Sequence, residues 1–166
     1  MSERGAELRD AYQDDADALT VLYRRARAEA MPWLAVPHDE ASTRWWMEHL
    51  LLPNHQVRVA ACGDRRPVGF AAVDQEWLQQ LYVHPEHQHA GVGRALLDDA
   101  KRTSPGALML HVFSRNTRAR RFYETAGFAL VEQSDGSTNE ERKPDCTYRW
   151  SHERSAHATC DSATCR

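Results

Sequence analysis

Two stretches hold residues whose types and spacing could do chemistry. The first is Gln88-His89-Ala90-Gly91-Val92-Gly93-Arg94. It follows the apolar, β-prone segment Leu78–Val83 and the turn His84-Pro85-Glu86-His87, and it precedes Ala95–Ala100, which reads as helix. The order is strand, tight glycine loop, helix. Such a loop can aim several backbone N–H groups at one anion, because first-turn N–H groups have no intrahelical partner. Gly91 and Gly93 lack Cβ, so the backbone can approach a ligand closely and adopt positive φ. A diphosphate is the natural guest; an ordinary strand-to-helix turn is the plain alternative. The second stretch, Asn116 to Phe128, reads as a cationic helix ending at Gly127. Arg118, Arg120 and Arg121 read as its solvated face. His84-x-x-His87-x-His89 has metal-like spacing, but it falls on the turn entering the glycine loop, with no further ligand placed to converge on it; no metal is expected.

Taken together, the two stretches resemble the GNAT family, the Gcn5-related N-acetyltransferases. Gln88-x-x-Gly91-x-Gly93 resembles that family's pyrophosphate loop, and Asn116-x-x-Ala119-x-x-Phe122-Tyr123-Glu124-x-x-Gly127-Phe128 resembles its later helix motif. The strand Leu108–Val112 lies between them, and the resemblance covers roughly residues 6 to 151. It implies acetyl-CoA as cofactor. Gln88, His89, Ala90, Gly91, Val92, Gly93 and Arg94 would hold the diphosphate. Backbone N–H groups of Leu81, Tyr82 and Val83 would hold the pantetheine amides as a pseudo-strand. Asn116 would bond the pantetheine arm, with a plain helix cap as the alternative or as an added role. One departure matters: many family members carry Gly and then Lys or Arg where this chain has His89 and Ala90, so a phosphate-facing cation is missing.

Moving an acetyl group from a thioester to an amine needs a base to neutralise the ammonium, a donor for the oxyanion and an acid for the leaving thiolate. Tyr123 lies seven residues after Asn116, so both can line one helix face. In the family a tyrosine at this position sits near the thioester sulfur, which makes Tyr123 the acid; the alternative is a packing tyrosine. A backbone N–H in Leu81-Tyr82-Val83 would serve the oxyanion. Glu76 lies within about a residue of the place where family members often carry the base; a solvated strand-start charge is its alternative, and His84, Glu140 and Glu141 compete with it. Trp33, in the proline-bracketed loop Met31–Pro37, and Glu140 and Glu141, in the polar loop Ser134–Pro144, are expected to contact the acceptor.

Composition sets the outer bounds. The chain has 166 residues, 42% hydrophobic and 27% charged, which suits one globular domain able to bury a core. The net charge of −3 argues against nucleic acid as the main partner. No apolar run approaches the roughly 20 residues that span a bilayer, and Met1-Ser2-Glu3-Arg4-Gly5 has no apolar core of a signal peptide, so a cytoplasmic location is expected. Cys62, Cys146, Cys160 and Cys165 are then expected as reduced thiols, and the Cys160/Cys165 spacing lacks a second half that would make a zinc site.

Taken in order, the chain reads as a strand over Ala6–Tyr12, a helix capped by Asp14 or Asp15 and ending near Ala30, and a second helix from His38-Asp39-Glu40 to Pro53-Asn54. Strands follow over Gln56–Cys62, Val68–Asp74 and Trp77–Val83, then the glycine-loop helix to about Arg102, a strand at Ala107–Val112 and the Asn116 helix. Strands at Phe128–Gln133 and Asp145–Trp150 close the domain, 1–151, and residues 152–166 read as a mobile tail. The order suggests an α/β fold with a mixed sheet and helices on both faces. The resemblance implies the same topology: a mostly antiparallel sheet whose central strands splay. The expected activity is acetyl-CoA-dependent acetylation of a small-molecule primary amine by a monomer or homodimer. Acetylation of a protein N-terminus or lysine, and non-catalytic acyl-CoA binding, are the alternatives.

Overall fold

In a computed structural model, residues 5–153 are described. The tail beyond Glu153, with Cys160 and Cys165, lies outside them, as do Met1 to Arg4. The chain forms two compact units, Met1–Thr103 and Ser104–Arg166.

The first unit begins with strand β1 (Glu7–Asp10) and helix α1 (Ala16–Ala30). Helix α2 (Glu40–Trp46) continues through a π-helical segment at Met47–Leu51 into a short turn of helix, α3 (Leu52–Asn54). Strands β2 (Gln56–Cys62), β3 (Arg66–Asp74) and β4 (Trp77–Val83) lead to helix α4 (Val92–Thr103). The four strands pair antiparallel in chain order. Alternation along β3 sends side chains to opposite faces. Phe70 and Ala72 join Leu19, Leu22, Met47 and Leu51 from the α1–α2 side. Gly69 lies under α4 instead: a Cβ there would meet Val92 and Leu96 at 3.0 and 3.1 Å.

The second unit holds strand β5 (Ala107–Phe113), helix α5 (Thr117–Thr125), strand β6 (Ala129–Ser134) and strand β7 (Asp145–Ser151). Strand β7 pairs antiparallel with both β5 and β6 and is the middle strand of the three.

Several local expectations are corrected. Asp15 stands at the N-cap of α1, as expected, but its side chain makes no cap bond there. Its carboxylate takes the Tyr12 N–H at 2.7 Å and both Arg9 terminal nitrogens at 2.8 and 2.9 Å, fastening β1 to the turn that starts the helix. The strand expected from Val68 begins at Arg66, with Pro67 accommodated where the β2–β3 register shifts. The second helix is not one regular run. Pro53 has no N–H to continue the α-helical ladder, and the π segment keeps Met47 and Leu51, at 0% and 1% exposure, both in the core.

Candidate active site

The glycine loop is built where the sequence places it. The Gln88 side chain donates to the Val83 carbonyl at 3.2 Å, tying the loop to the end of β4. Gly91 has φ of +80°, and its carbonyl accepts the Ala95 N–H at 3.0 Å, so it caps α4. The N–H groups of Val92, Gly93 and Arg94 therefore belong to the first turn, where no intrahelical partner exists. A Cβ added to Gly91 would project into open space. Open backbone, free-turn amides and the positive end of a twelve-residue helix are what a diphosphate needs. His89 also sits in the left-handed region, at φ +64°, where a side chain is strained. Ala90 and Arg94 are exposed on the same turn.

Strand β4 presents its backbone selectively. The His84 N–H bonds the Val68 carbonyl, and Val83 lies opposite Gly69. Antiparallel alternation then turns the N–H and C=O groups of Tyr82 toward β3 and those of Leu81 and Val83 away from it. The Tyr82 ring packs on Tyr23 and Phe70, with centroids 5.0 and 6.1 Å apart. A register shift between Ala72 and Val73 leaves Gln79 as an extra residue in β4, a bulge that periodicity did not reveal.

Glu76 is exposed in the β3–β4 turn. Leu81 is five residues on, roughly 16 Å along a strand that rises about 3.3 Å per residue. His84 is occupied on both ring nitrogens: Arg25 faces Nε2 at 3.2 Å and the Glu86 N–H faces Nδ1 at 3.2 Å. A neutral imidazole has one acceptor nitrogen, so two donors already compete for it. His87 stacks edge-on against His84, and no three His, Cys, Asp or Glu side chains cluster as metal ligands among the described residues.

In the second unit, Asn116 caps α5: its Oδ1 accepts the Ala119 N–H at 3.2 Å, leaving its amide N–H groups as donors. The helix ends in a Schellman motif, with the Phe128 N–H on the Tyr123 carbonyl, the Gly127 N–H on the Glu124 carbonyl and Gly127 at φ +91°. Tyr123 packs between Phe122 and Phe128, and burial pushes its hydroxyl well above the ordinary tyrosine value. Its proton is thus retained throughout neutral and mildly alkaline solution.

The residues expected to contact an acceptor, Trp33, Glu140 and Glu141, fall on two braced loops, one in each unit. Trp33 is half-buried between α1 and α2, beside the buried Met31 and Leu34. Arg24 holds the end of that loop through the His38 carbonyl and the Thr43 hydroxyl. Glu140 and Glu141 sit in the β6–β7 loop, which Asn139 closes by bonding both backbone groups of Lys143 and the Asp145 carboxylate. Gly136, at φ +85°, lies so close to Lys143 that a Cβ would come within 2.3 Å of its backbone.

A separate cavity of about 710 Å³ opens in the first unit between the end of β1, the start of β2 and α4. None of the predicted site residues lines it. Its wall holds the buried carboxylate of Asp99 between Arg58 and Arg102, an ionic brace fastening α4 to β2.

The strand, glycine loop and helix of the first unit and the capped helix carrying Tyr123 in the second are the two stretches in which the sequence resembles the GNAT family. A model of the acetyltransferase (GNAT) family matches residues 10–128, and the chain belongs to that family. As a member of that family it is an acetyl-CoA-dependent N-acetyltransferase. It is 28% identical over 133 residues to the peptidyl-lysine N-acetyltransferase YjaB of Salmonella typhimurium, covering 77% of this chain and 86% of that protein. It is 29% identical over 142 residues to the L-methionine sulfoximine/L-methionine sulfone acetyltransferase of the same organism, covering 76% and 81%. Its fold is that of Salmonella typhimurium YncA, solved with its cofactor acetyl-CoA: TM-score 0.63, 22% identity, 97% of each chain covered. Among the described residues, no helix is long and apolar enough to cross a membrane.

Proposed function

We propose that the protein acetylates a primary amine on a small molecule. Acetyl-CoA supplies the activated acetyl thioester. Gly91 and the first-turn amides of Val92, Gly93 and Arg94 hold its diphosphate, with Gln88, His89 and Ala90 shaping the turn. The outward-facing backbone groups of Leu81 and Val83 hold the pantetheine amides, and one of those N–H groups takes the charge that builds on the acetyl oxygen. Tyr82 supports them through its ring rather than through its backbone. The Asn116 amide N–H groups donate to the pantetheine arm. Tyr123 gives its proton to the departing sulfur as the C–N bond forms and the C–S bond breaks. Glu76 takes the amine proton, directly or through water. Trp33, Glu140 and Glu141 receive the acceptor and its ammonium.

The observation that carries the small-molecule reading is the bracing of both acceptor-side loops. A loop held by Asn139 and by the tight fit of Gly136, and another held by Arg24, favour a compact acceptor over a protein surface. The similarity to an acetyltransferase of amino-acid analogues supports the same reading. Similarity to a peptidyl-lysine acetyltransferase favours the second reading, a lysine side chain in a protein. Thiol release from acetyl-CoA across an amine panel and a peptide panel separates them. Turnover confined to peptides overturns the first. For the base, Glu76→Gln should slow the reaction at neutral pH and recover partly at high pH, where more of an alkylamine with a pKa near 10.4 is already neutral. A flat response in Glu76→Gln, with a pH-dependent loss in Glu140→Gln or Glu141→Gln, moves the base to the β6–β7 loop.

A further inference from the structure

Helix α5 carries both Asn116 and Tyr123, yet none of its nine helical residues is buried. Its apolar side chains, Ala119, Phe122 and Tyr123, are only half-buried, so polar contacts take a larger share in fixing it. Its ends are set by local bonds, the Asn116 cap and the Gly127 Schellman turn, which stop the helix but leave its rotation and slide open. Beside the ring packing of Tyr123 on Phe128, one polar atom ties the side of the helix to the sheet. Tyr148, on the middle strand β7 and 0% exposed, accepts from Arg120 Nε at 3.0 Å and donates to Glu124 Oε1 at 2.6 Å through its hydroxyl. Arg120 and Glu124 are four residues apart, on one face of the helix. Both partners are charged, so both bonds belong to the strong class. Arg120 also donates to the Ser114 carbonyl at 3.3 Å, joining the clamp to the loop that enters the helix. The hydroxyl is used as donor and as acceptor, which makes it a two-sided pin.

We propose that Tyr148 is a positioning residue, whose hydroxyl sets the rotation of α5 and thereby the place of the Tyr123 hydroxyl. This rests on the reading of Tyr123 as the acid. Tyr123 is the immediate neighbour of Glu124, so any rotation of the pinned face turns Tyr123 with it. With Cα atoms about 2.3 Å from the axis and side chains reaching well beyond, a rotation of about 10° moves a hydroxyl roughly 8 Å from the axis by about 1.4 Å. A misplacement of about 1 Å can cost about 10²-fold in rate. Loss of the pin should thus appear in turnover before it appears in cofactor binding, because the diphosphate is held by backbone of the other unit.

The test is a double-mutant cycle on the full chain with acetyl-CoA and one good amine, reading kcat and the KM for acetyl-CoA under conditions where chemistry limits the rate. Tyr148→Phe removes one oxygen and should lower kcat about tenfold, with KM within about twofold. In a Tyr123→Phe background the same change should cost less than about twofold, because the group it positions is gone. A merely structural role would lower kcat by the same factor in both backgrounds, and that result overturns the proposal. So does an unchanged kcat in Tyr148→Phe. If Tyr123→Phe alone leaves kcat unaltered, the acid reading fails; a tenfold loss in Tyr148→Phe would then act through another group, which also overturns the proposal. Glu124→Ala, at an exposed residue, keeps the test open if Tyr148→Phe folds poorly: it should lower kcat in the same direction and likewise lose its effect beside Tyr123→Phe.

Discussion

The helices α4 and α5 carry the residues proposed to hold and use acetyl-CoA, and they are fastened in opposite ways. Five residues of α4 are buried, among them Leu96 and Leu97 at 0% exposure, and Gly69 lets β3 lie close beneath it. On α5 no residue is fully buried; Phe122 and Tyr123 are half-buried, and Arg120 and Glu124 meet at the Tyr148 hydroxyl. Burial is non-directional and proportional to area, so α4 is held firmly by apolar packing, with the buried Asp99 carboxylate adding one ionic brace to β2. Hydrogen bonds are directional and steepen with geometry, so α5 is held with precision and depends on few atoms. A diphosphate cradle of several backbone amides tolerates the first kind of fixing. An acid that must reach one sulfur needs the second.

The largest expected effect breaks this contrast most directly. Leu96→Ala should cost about 2–5 kcal/mol of stability in urea unfolding, the range for emptying a well-packed leucine site. Phe122→Ala on α5, where the ring is only half-buried, should cost clearly less. Equal losses would mean that α5 is seated by burial after all.

Next comes Gly91→Val. A β-branched residue at φ +80° is strained and fills the space a diphosphate needs. At acetyl-CoA concentrations of 100 times the parent Kd, the parent should gain about 2.7 kcal/mol from binding, and the variant should lose most of that gain in a thermal-shift comparison with and without ligand. If the ligand-induced shift is unchanged, the phosphate loop is misassigned.

Tyr123→Phe should follow, lowering kcat at or below the low end of the roughly 10²–10⁴-fold range for general acids, since a thiolate is already a good leaving group. Cofactor affinity should hardly change. Because burial raises this hydroxyl's pKa, the parent enzyme should show no loss of an essential acid below pH about 10, the ordinary tyrosine value. An alkaline limb near neutrality that disappears in Tyr123→Phe would contradict the environment described for the residue.

The smallest effect is expected at His89→Gly. Leaving the left-handed region to glycine relieves about 1–2 kcal/mol of strain, while the added freedom of the unfolded chain takes back about 0.5–1 kcal/mol. The net gain in urea stability should be no more than about 1.5 kcal/mol, with acetyl-CoA binding intact. A loss of stability would show that contacts of the His89 side chain outweigh the strain.

Much of this protein was legible in its sequence where the deciding physics is local. The glycine loop, the Asn116 cap and the helix stop at Gly127 each depend on residues within about one helical turn, and residue type settles them through φ preference and side-chain reach. Strand and helix positions followed from apolar periodicity, and the antiparallel pairing within each unit agrees with the fold that the motifs implied. Three features were set only by the tertiary structure. Asp15 sits at the N-cap of α1, but its carboxylate is turned to Arg9 of β1 rather than to the first-turn amides of the helix. The choice of Leu81 and Val83, rather than Tyr82, to face away from β3 is a matter of pairing phase, which a shift of one residue would reverse. Arg120 and Glu124 announced themselves as an i,i+4 pair, but their shared partner lies 28 and 24 residues away on β7. Many polar side chains could have met them at that separation; the packing of α5 against the middle strand brings Tyr148 there.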